Sequence, residues 1–249
     1  MADNNPLISI ITITFNAANE LPSTMKSVRE QTFHGYEHLI IDGASTDNTL
    51  EIARTLGGSS LRILSEPDNG LYDAMNKGLA MAQGKYVLFL NAGDTFHSPD
   101  ILKAYADNAA DDADIIYADT IIVDSEKNYI APRHLPVPDI LTFRSFSKGM
   151  LVCHQAFMVR KEIAPKYDLQ YRFSSDYDWT VNCLRNSTPG KCVNLKMVAI
   201  DYLCDGLTDK NKLKSLKERY HIMCRHYGTL TTILNHVEFA FRAVKRKLR

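Results

Sequence analysis

Along the first hundred residues the apolar positions change period in a regular alternation. Residues 7–15 run Leu-Ile-Ser-Ile-Ile-Thr-Ile-Thr-Phe, the β-branched pattern of a strand covered on both faces. Residues 21–31 then carry Leu21, Met25 and Val28 at helical spacing. A short strand at 38–41 leads into Gly43-Ala44-Ser45-Thr46-Asp47 and a helix through Ala53, closed by Gly57-Gly58. A strand at 61–64, a helix at 71–82 stopped by Gly84, and a strand at 86–90 complete the series. This β-α-β-α-β-α-β order predicts an α/β fold, a mainly parallel sheet with helices on both faces. Such sheets bind ligands beyond the carboxyl ends of their strands. Phe15-Asn16, Asp42-Gly43 and Asn91-Ala92-Gly93-Asp94 each follow a predicted strand directly, so three segments should converge on one cleft.

Beyond residue 112 the pattern loosens. Short strands are expected at 115–117, 120–123, 129–131, 152–159 and 196–203, and a helix at 176–184. Residues 135–150, with Pro136 and Pro138, predict irregular chain or a short helix. From 229 to 249, Leu230, Ile233, Leu234, Val237, Phe241, Val244 and Leu248 fall on one helical stripe. The expected division is one α/β domain over 1–208 and a C-terminal helical extension over 209–249.

Composition refines this picture in three ways. The 29 Lys and Arg balance 29 Asp and Glu, so no global charge draws the chain to nucleic acid. The balance is uneven: from Arg242 onward the sequence has five cations and no anion. A basic amphipathic helix of this kind lies on an anionic membrane surface or packs on the domain or a second subunit. The five Cys are scattered without a C-x-x-C, as reduced thiols are. Residues 1–6 lack a signal-peptide pattern, and no run approaches the ~20 apolar residues of a membrane span. A cytoplasmic protein is expected, with the inner membrane face as a further location if the tail docks there.

The chemistry-bearing clusters allow two readings each. Asp94 follows a strand without polar side chains, beside a small Ala-Gly pair, and can reach a Mg²⁺ or Mn²⁺ ion that also binds phosphate oxygens. It can equally cap an Asx-Gly turn. Ser45, Thr46 and Asp47 suit a helix start, which leaves Asp42 at the strand tip to accept from a nucleobase imide. Gly70 and Asn76, in the polar run from Glu66 to Gly78, suit phosphate or ribose, although capping by Asp68 or Asn69 explains part of the run. Asp176 and Asp178, two apart on one helix, point different ways; Asp176 suits a general base and Asp178 solvent. His154 and Gln155 stand at a strand start, where a lone His is commonly structural.

Taken together, the segments Ser9–Asn16, Ile41–Thr49, Gly84–Asp94 and Ser175–Trp179 resemble the inverting family 2 glycosyltransferases with the GT-A fold, over residues 7–205 at least. Asp73-Ala74-Met75-Asn76-Lys77-Gly78 and Cys153-His154-Gln155-Ala156 look most like bacterial members that build surface polysaccharide. The resemblance implies a Rossmann-like sheet and a nucleotide-diphosphate sugar donor, usually a UDP-sugar, lying against Phe15, Asn16, Asp42, Gly70, Asn76 and Asn91. It implies Mg²⁺ or Mn²⁺ near Asp94, Asp176 as the base on an acceptor hydroxyl, and His154 and Gln155 on the side of a glycan or polyprenyl-linked acceptor. Two positions depart from the family pattern. Its Asp-x-Asp metal motif has Asn91 and Gly93 here, leaving Asp94, and the Glu usual before the base is Ser175. Other classes fit less well. A sugar nucleotidyltransferase predicts a Gly-rich cationic loop after the first strand, where Asn16-Ala17-Ala18-Asn19 stands. A dehydrogenase predicts G-x-G-x-x-G. A non-catalytic nucleotide- or glycan-binding protein would not need Asp42, Asp94 and Asp176 together.

Overall fold

The computed structural model describes residues 5–204 and 211–247, and of 212 and 240–247 the backbone only. The β-branched run forms β1 (Ile8–Thr14), buried along its whole length. Strand side chains alternate between faces, and β1 divides accordingly: Ile8 and Ile10 join one apolar cluster, Ile11 and Ile13 another. β2 (Tyr36–Asp42), β3 (Leu61–Ser65) and β4 (Tyr86–Phe89) run parallel with it in the order β3-β2-β1-β4. α1 (Leu21–Arg29) and α2 (Thr49–Leu56) cover one face, packing on Ile40; α3 (Leu71–Met81) covers the other, on Ile11, Leu39 and Ile41.

The second half is mixed rather than parallel. β8 (Phe157–Arg160) lies antiparallel between β4 and β6 (Ile115–Val123), and β9 (Cys192–Leu203) runs parallel to β6. β5 (Thr95–Phe96) and β7 (Tyr129–Pro132) add antiparallel edges on β9 and β6. Parallel pairing needs a long crossover, and no α-helix separates β7 from β8. The strands expected at 115–117 and 120–123 are one strand whose register shifts around Asp119. Residues 152–159 enter the sheet through a 3₁₀ turn at His154–Ala156 instead of as a full strand. A 3₁₀ helix at Phe143–Lys148, capped by Thr142, occupies the irregular stretch.

α4 (Ile101–Ala109), not singled out by the pattern above, buries Ile101, Leu102, Tyr105 and Ala109. α5 (Ser175–Asn186) sends Tyr177, Trp179 and Val181 into the larger core. The boundary expected at 208/209 lies outside the described residues. Beyond it, α6 (Lys212–Tyr227) adds Ile222 and Met223 to that same core, and α7 (Thr229–Lys247) folds back on α6, with Tyr220 and His236 ring centroids 5.2 Å apart. Of the predicted stripe, Leu248 and the side chains of Phe241 and Val244 lie outside the described residues. Among those described, no helix is long and apolar enough to cross a membrane.

Candidate active site

Asp176 stands in the first turn of α5, where the helix dipole favours a carboxylate. Its Oδ1 accepts from the Tyr72 hydroxyl at 3.1 Å, which ties the start of α5 to the start of α3. Burial, and then the Asp176 charge, push the Tyr72 phenol well above its ordinary range, so Tyr72 stays a proton donor. Asp176 is partly exposed, whereas Asp178 is buried. Asp178 therefore does not face solvent as expected: it accepts from Asn182 at 3.0 Å and pairs with His226 Nε2 at 2.6 Å.

Under Asp176 lies an aromatic floor. Tyr72 stacks on Tyr167 at 5.7 Å, and Tyr167 on Trp179 at 4.9 Å. His154 completes it, with Nε2 2.5 Å from the Tyr167 hydroxyl and its ring stacked on Phe89. Burial lowers the His154 pKa to about 4, so a neutral imidazole is held here. Two expectations are corrected at this point. His154 and Gln155 are both buried, too deep to meet an acceptor. Asn76 does not face a donor either: its side chain accepts from Tyr167 N at 2.7 Å and donates to Tyr167 O at 3.0 Å, fixing the floor from below.

Across the carboxyl edge, the loops after β1 and β2 are laced together. Asn16 Oδ1 accepts from Thr46 N at 2.9 Å, and Asn16 N donates to Ser45 Oγ at 2.8 Å. Asp42 is 1% exposed and accepts from Thr14, Ser65 and both the amide and hydroxyl of Ser45. Burial works against its charge, but those donors outweigh it and hold the pKa below the ordinary carboxylate value. Asp42 thus organises the loop and has no oxygen turned out toward a nucleobase. The Phe15 ring, 66% exposed, faces outward; Asp68, part-exposed, has Oδ1 accepting from Gly70 N and Oδ2 lying against Gly43. A Cβ at Gly43 would stand 2.5 Å from that Oδ2.

The Asn91–Asp94 turn is held by Thr24, whose Oγ1 accepts from Gly93 N at 2.9 Å and donates to Asp94 O at 2.8 Å. Asp94 is 4% exposed; Oδ1 accepts from Leu203 N at 2.9 Å and Oδ2 from Gln155 Nε2 at 3.0 Å. Burial pushes its pKa up to about 7 against those bonds and the Lys127 charge. Lys127 Nζ donates to the Gly93 carbonyl. Gly93 has φ +96°, and a Cβ on it would meet Leu203 Cδ2 at 2.7 Å, so an aspartate at 93 would strain the backbone and displace the Leu203 side chain. The remaining oxygen, Asn91 Oδ1, is buried without a partner. One neutral amide is a weak anchor for a hard dication, and among the described residues no three His, Cys, Asp or Glu gather as a metal site. As arranged here these residues do not present a Mg²⁺ or Mn²⁺ site at Asp94: its carboxylate faces inward and the Lys127 ammonium lies at the Gly93 carbonyl.

Residues 9–167 match the family model for glycosyl transferase family 2. A PGL/p-HBAD biosynthesis glycosyltransferase of Mycobacterium tuberculosis is 35% identical over 190 residues, 73% of this chain and 71% of that one. Among solved structures, residues 1–349 of S. aureus TarS superpose with a TM-score of 0.70 at 16% identity, over 93% of this chain and 72% of that one. TarS is also known in complex with UDP and with UDP-GlcNAc. Mannosyltransferase PcManGT from Pyrobaculum calidifontis, in complex with GDP-Man and Mn²⁺, superposes with a TM-score of 0.61 at 13% identity, over 98% and 80%. The chain belongs to glycosyl transferase family 2 and is a glycosyltransferase with the GT-A fold. A divalent metal is common among such transferases.

Proposed function

We propose that this chain moves a sugar, with inversion, from a UDP-sugar to a hydroxyl of a glycan or lipid-linked acceptor in surface-polysaccharide synthesis. One observation carries the reading: Asp176 is a partly exposed carboxylate aimed by Tyr72 on a rigid aromatic floor, at the sheet edge that also bears Phe15, Asp68 and the 91–94 turn. A general base must reach the proton it removes, and among the described residues Asp176 accepts one side-chain hydrogen bond, from Tyr72 to Oδ1, which leaves Oδ2 for that proton. The acceptor oxygen attacks the anomeric carbon as its proton passes to Asp176, and the bond from that carbon to the diphosphate breaks on the opposite side. Phe15 offers a face for the base and Asp68 an acceptor for its imide. Lys127, held at the Gly93 carbonyl, is the cation that offsets the growing charge of the leaving diphosphate.

Thermal shift against nucleotide sugars, run with Mn²⁺ and with EDTA, tests the donor. A UDP-sugar should raise the Tm in both conditions. No response to any nucleotide diphosphate would sink the reading, and a response only with Mn²⁺ would restore a metal to the site. Asp176→Asn should keep the donor-induced shift and lower transfer by roughly 10²–10⁴-fold; unchanged turnover would remove the base.

A further inference from the structure

α7 is amphipathic in the inverted sense. Over its described side chains, 229–239, the face it turns to the protein is largely polar: Thr232 and Asn235 are buried, Asn235 Nδ2 donates to Ser147 O at 2.9 Å, and Phe239 adds apolar packing to the core. The face it turns outward is aliphatic, with Leu230 73%, Ile233 47%, Leu234 62% and Val237 50% exposed. These positions, spaced i, i+3, i+4, i+7, form one continuous stripe. On the partner helix of the hairpin, Leu213 and Leu216 are exposed as well. Burying an aliphatic side chain is favourable, so a helix that hides Thr and Asn and shows Leu and Ile has its apolar face toward an outside partner.

The charge says which partner. Residues 229–249 contain one acid, Glu238, which already pairs with Lys148. Past the stripe the sequence continues with Arg242, Lys245, Arg246, Lys247 and Arg249. The same segment of a second copy would bring the same cations and only the same acid, already paired with Lys148. An anionic lipid surface offers both the apolar medium and the opposite charge. We infer that α7 docks its Leu230–Ile233–Leu234–Val237 face into an anionic membrane surface, with the following cations in the headgroup layer. The hairpin is built into the catalytic part: Glu218 of α6 accepts from Arg172 N and Phe173 N, and Ser174 and Ser215 bond at 2.9 Å, just before α5. A docked α7 therefore fixes the orientation of Asp176 to the surface. The docking does not depend on the donor chemistry proposed above.

Co-sedimentation of the full chain with phosphatidylglycerol–phosphatidylcholine vesicles, and with phosphatidylcholine alone, tests this. The protein should pellet with the anionic vesicles, release as salt is raised, and stay in solution with the neutral ones. Ile233→Asp with Leu234→Asp should weaken anionic-vesicle binding at least ~10-fold with the Tm kept, since both sites are exposed. Lys245→Gln, Arg246→Gln and Lys247→Gln together should flatten the salt dependence. A wild-type chain that ignores anionic vesicles at low salt overturns the inference, as does a double variant that still binds them fully. So does a dimer in solution that the same two substitutions dissolve, which would give the face to a second copy.

Discussion

Asp94 shows how one residue type supports opposite readings. A carboxylate just past a buried strand looks like a metal ligand in sequence, but what decides its role is 109 residues away: the amide of Leu203, arriving along β9, caps Oδ1. Local spacing contains no trace of that donor, nor of Lys127 beside it. The burial that results makes a sharp prediction. The folded pKa of Asp94, about 7, lies above its unfolded value of ~3.9. Its contribution to stability is therefore present in full below about pH 4 and is lost as pH rises through about 7. Asp94→Asn carries no such penalty. In urea unfolding across this range, the stability of Asp94→Asn relative to wild type should climb with pH up to about 7 and then level off. A difference that is flat with pH would mean that Asp94 is ionised in the fold throughout, as a bound cation would make it.

At the level of elements, the parallel half of the sheet was legible because each strand and helix there carries its own period. β1 is buried on both faces and so is uninterrupted; α1 shows Leu21, Met25 and Val28 as a stripe. α4 had an equally good stripe, Ile101, Leu102, Tyr105 and Ala109, and could have been found. The break seen between 117 and 120 was real, but it marks a register shift within β6 rather than a turn. The 3₁₀ turn at His154–Ala156 was not legible: its apolar neighbours look like strand, and the turn is held by Tyr167, Gln155 and Asp94 across the fold. Asn76 belongs with it, as the clamp between α3 and the floor of the site. Asn76→Ala removes two hydrogen bonds to the Tyr167 backbone and should cost about 1–3 kcal/mol. Read as a fall in Tm with UDP-sugar affinity kept, this supports a structural clamp; a variant with wild-type Tm and weakened donor binding would return Asn76 to the donor side.

Over the whole molecule, the two halves of the sheet have different tasks. The parallel half presents the loops of the proposed nucleotide side, and the mixed half brings in the segments, at 154–156, 203 and 127, that seal the Asn91–Asp94 turn. α5 hangs between them, and α6 is its buttress. The Asp178–His226 pair is almost fully buried, with side chains 4% and 2% exposed, and Ile222 and Met223 share the core of Tyr177 and Trp179. Removing one member of such a pair leaves the other buried without its hydrogen bond, at a cost of about 1–3 kcal/mol. Two truncations should therefore behave differently. Ending the chain at Gly228 removes α7, exposes mainly Tyr220 and the loop around Ser147, and should leave a folded protein that still responds to donor while losing its vesicle binding. Ending it at Asn211 also removes α6, strips Asp178 of His226 and uncovers Trp179's core, and should lower the Tm steeply and abolish the donor response. Equal Tm for the two truncations would show that α6 does not buttress α5, and the link drawn between the membrane-facing hairpin and the position of Asp176 would fall with it.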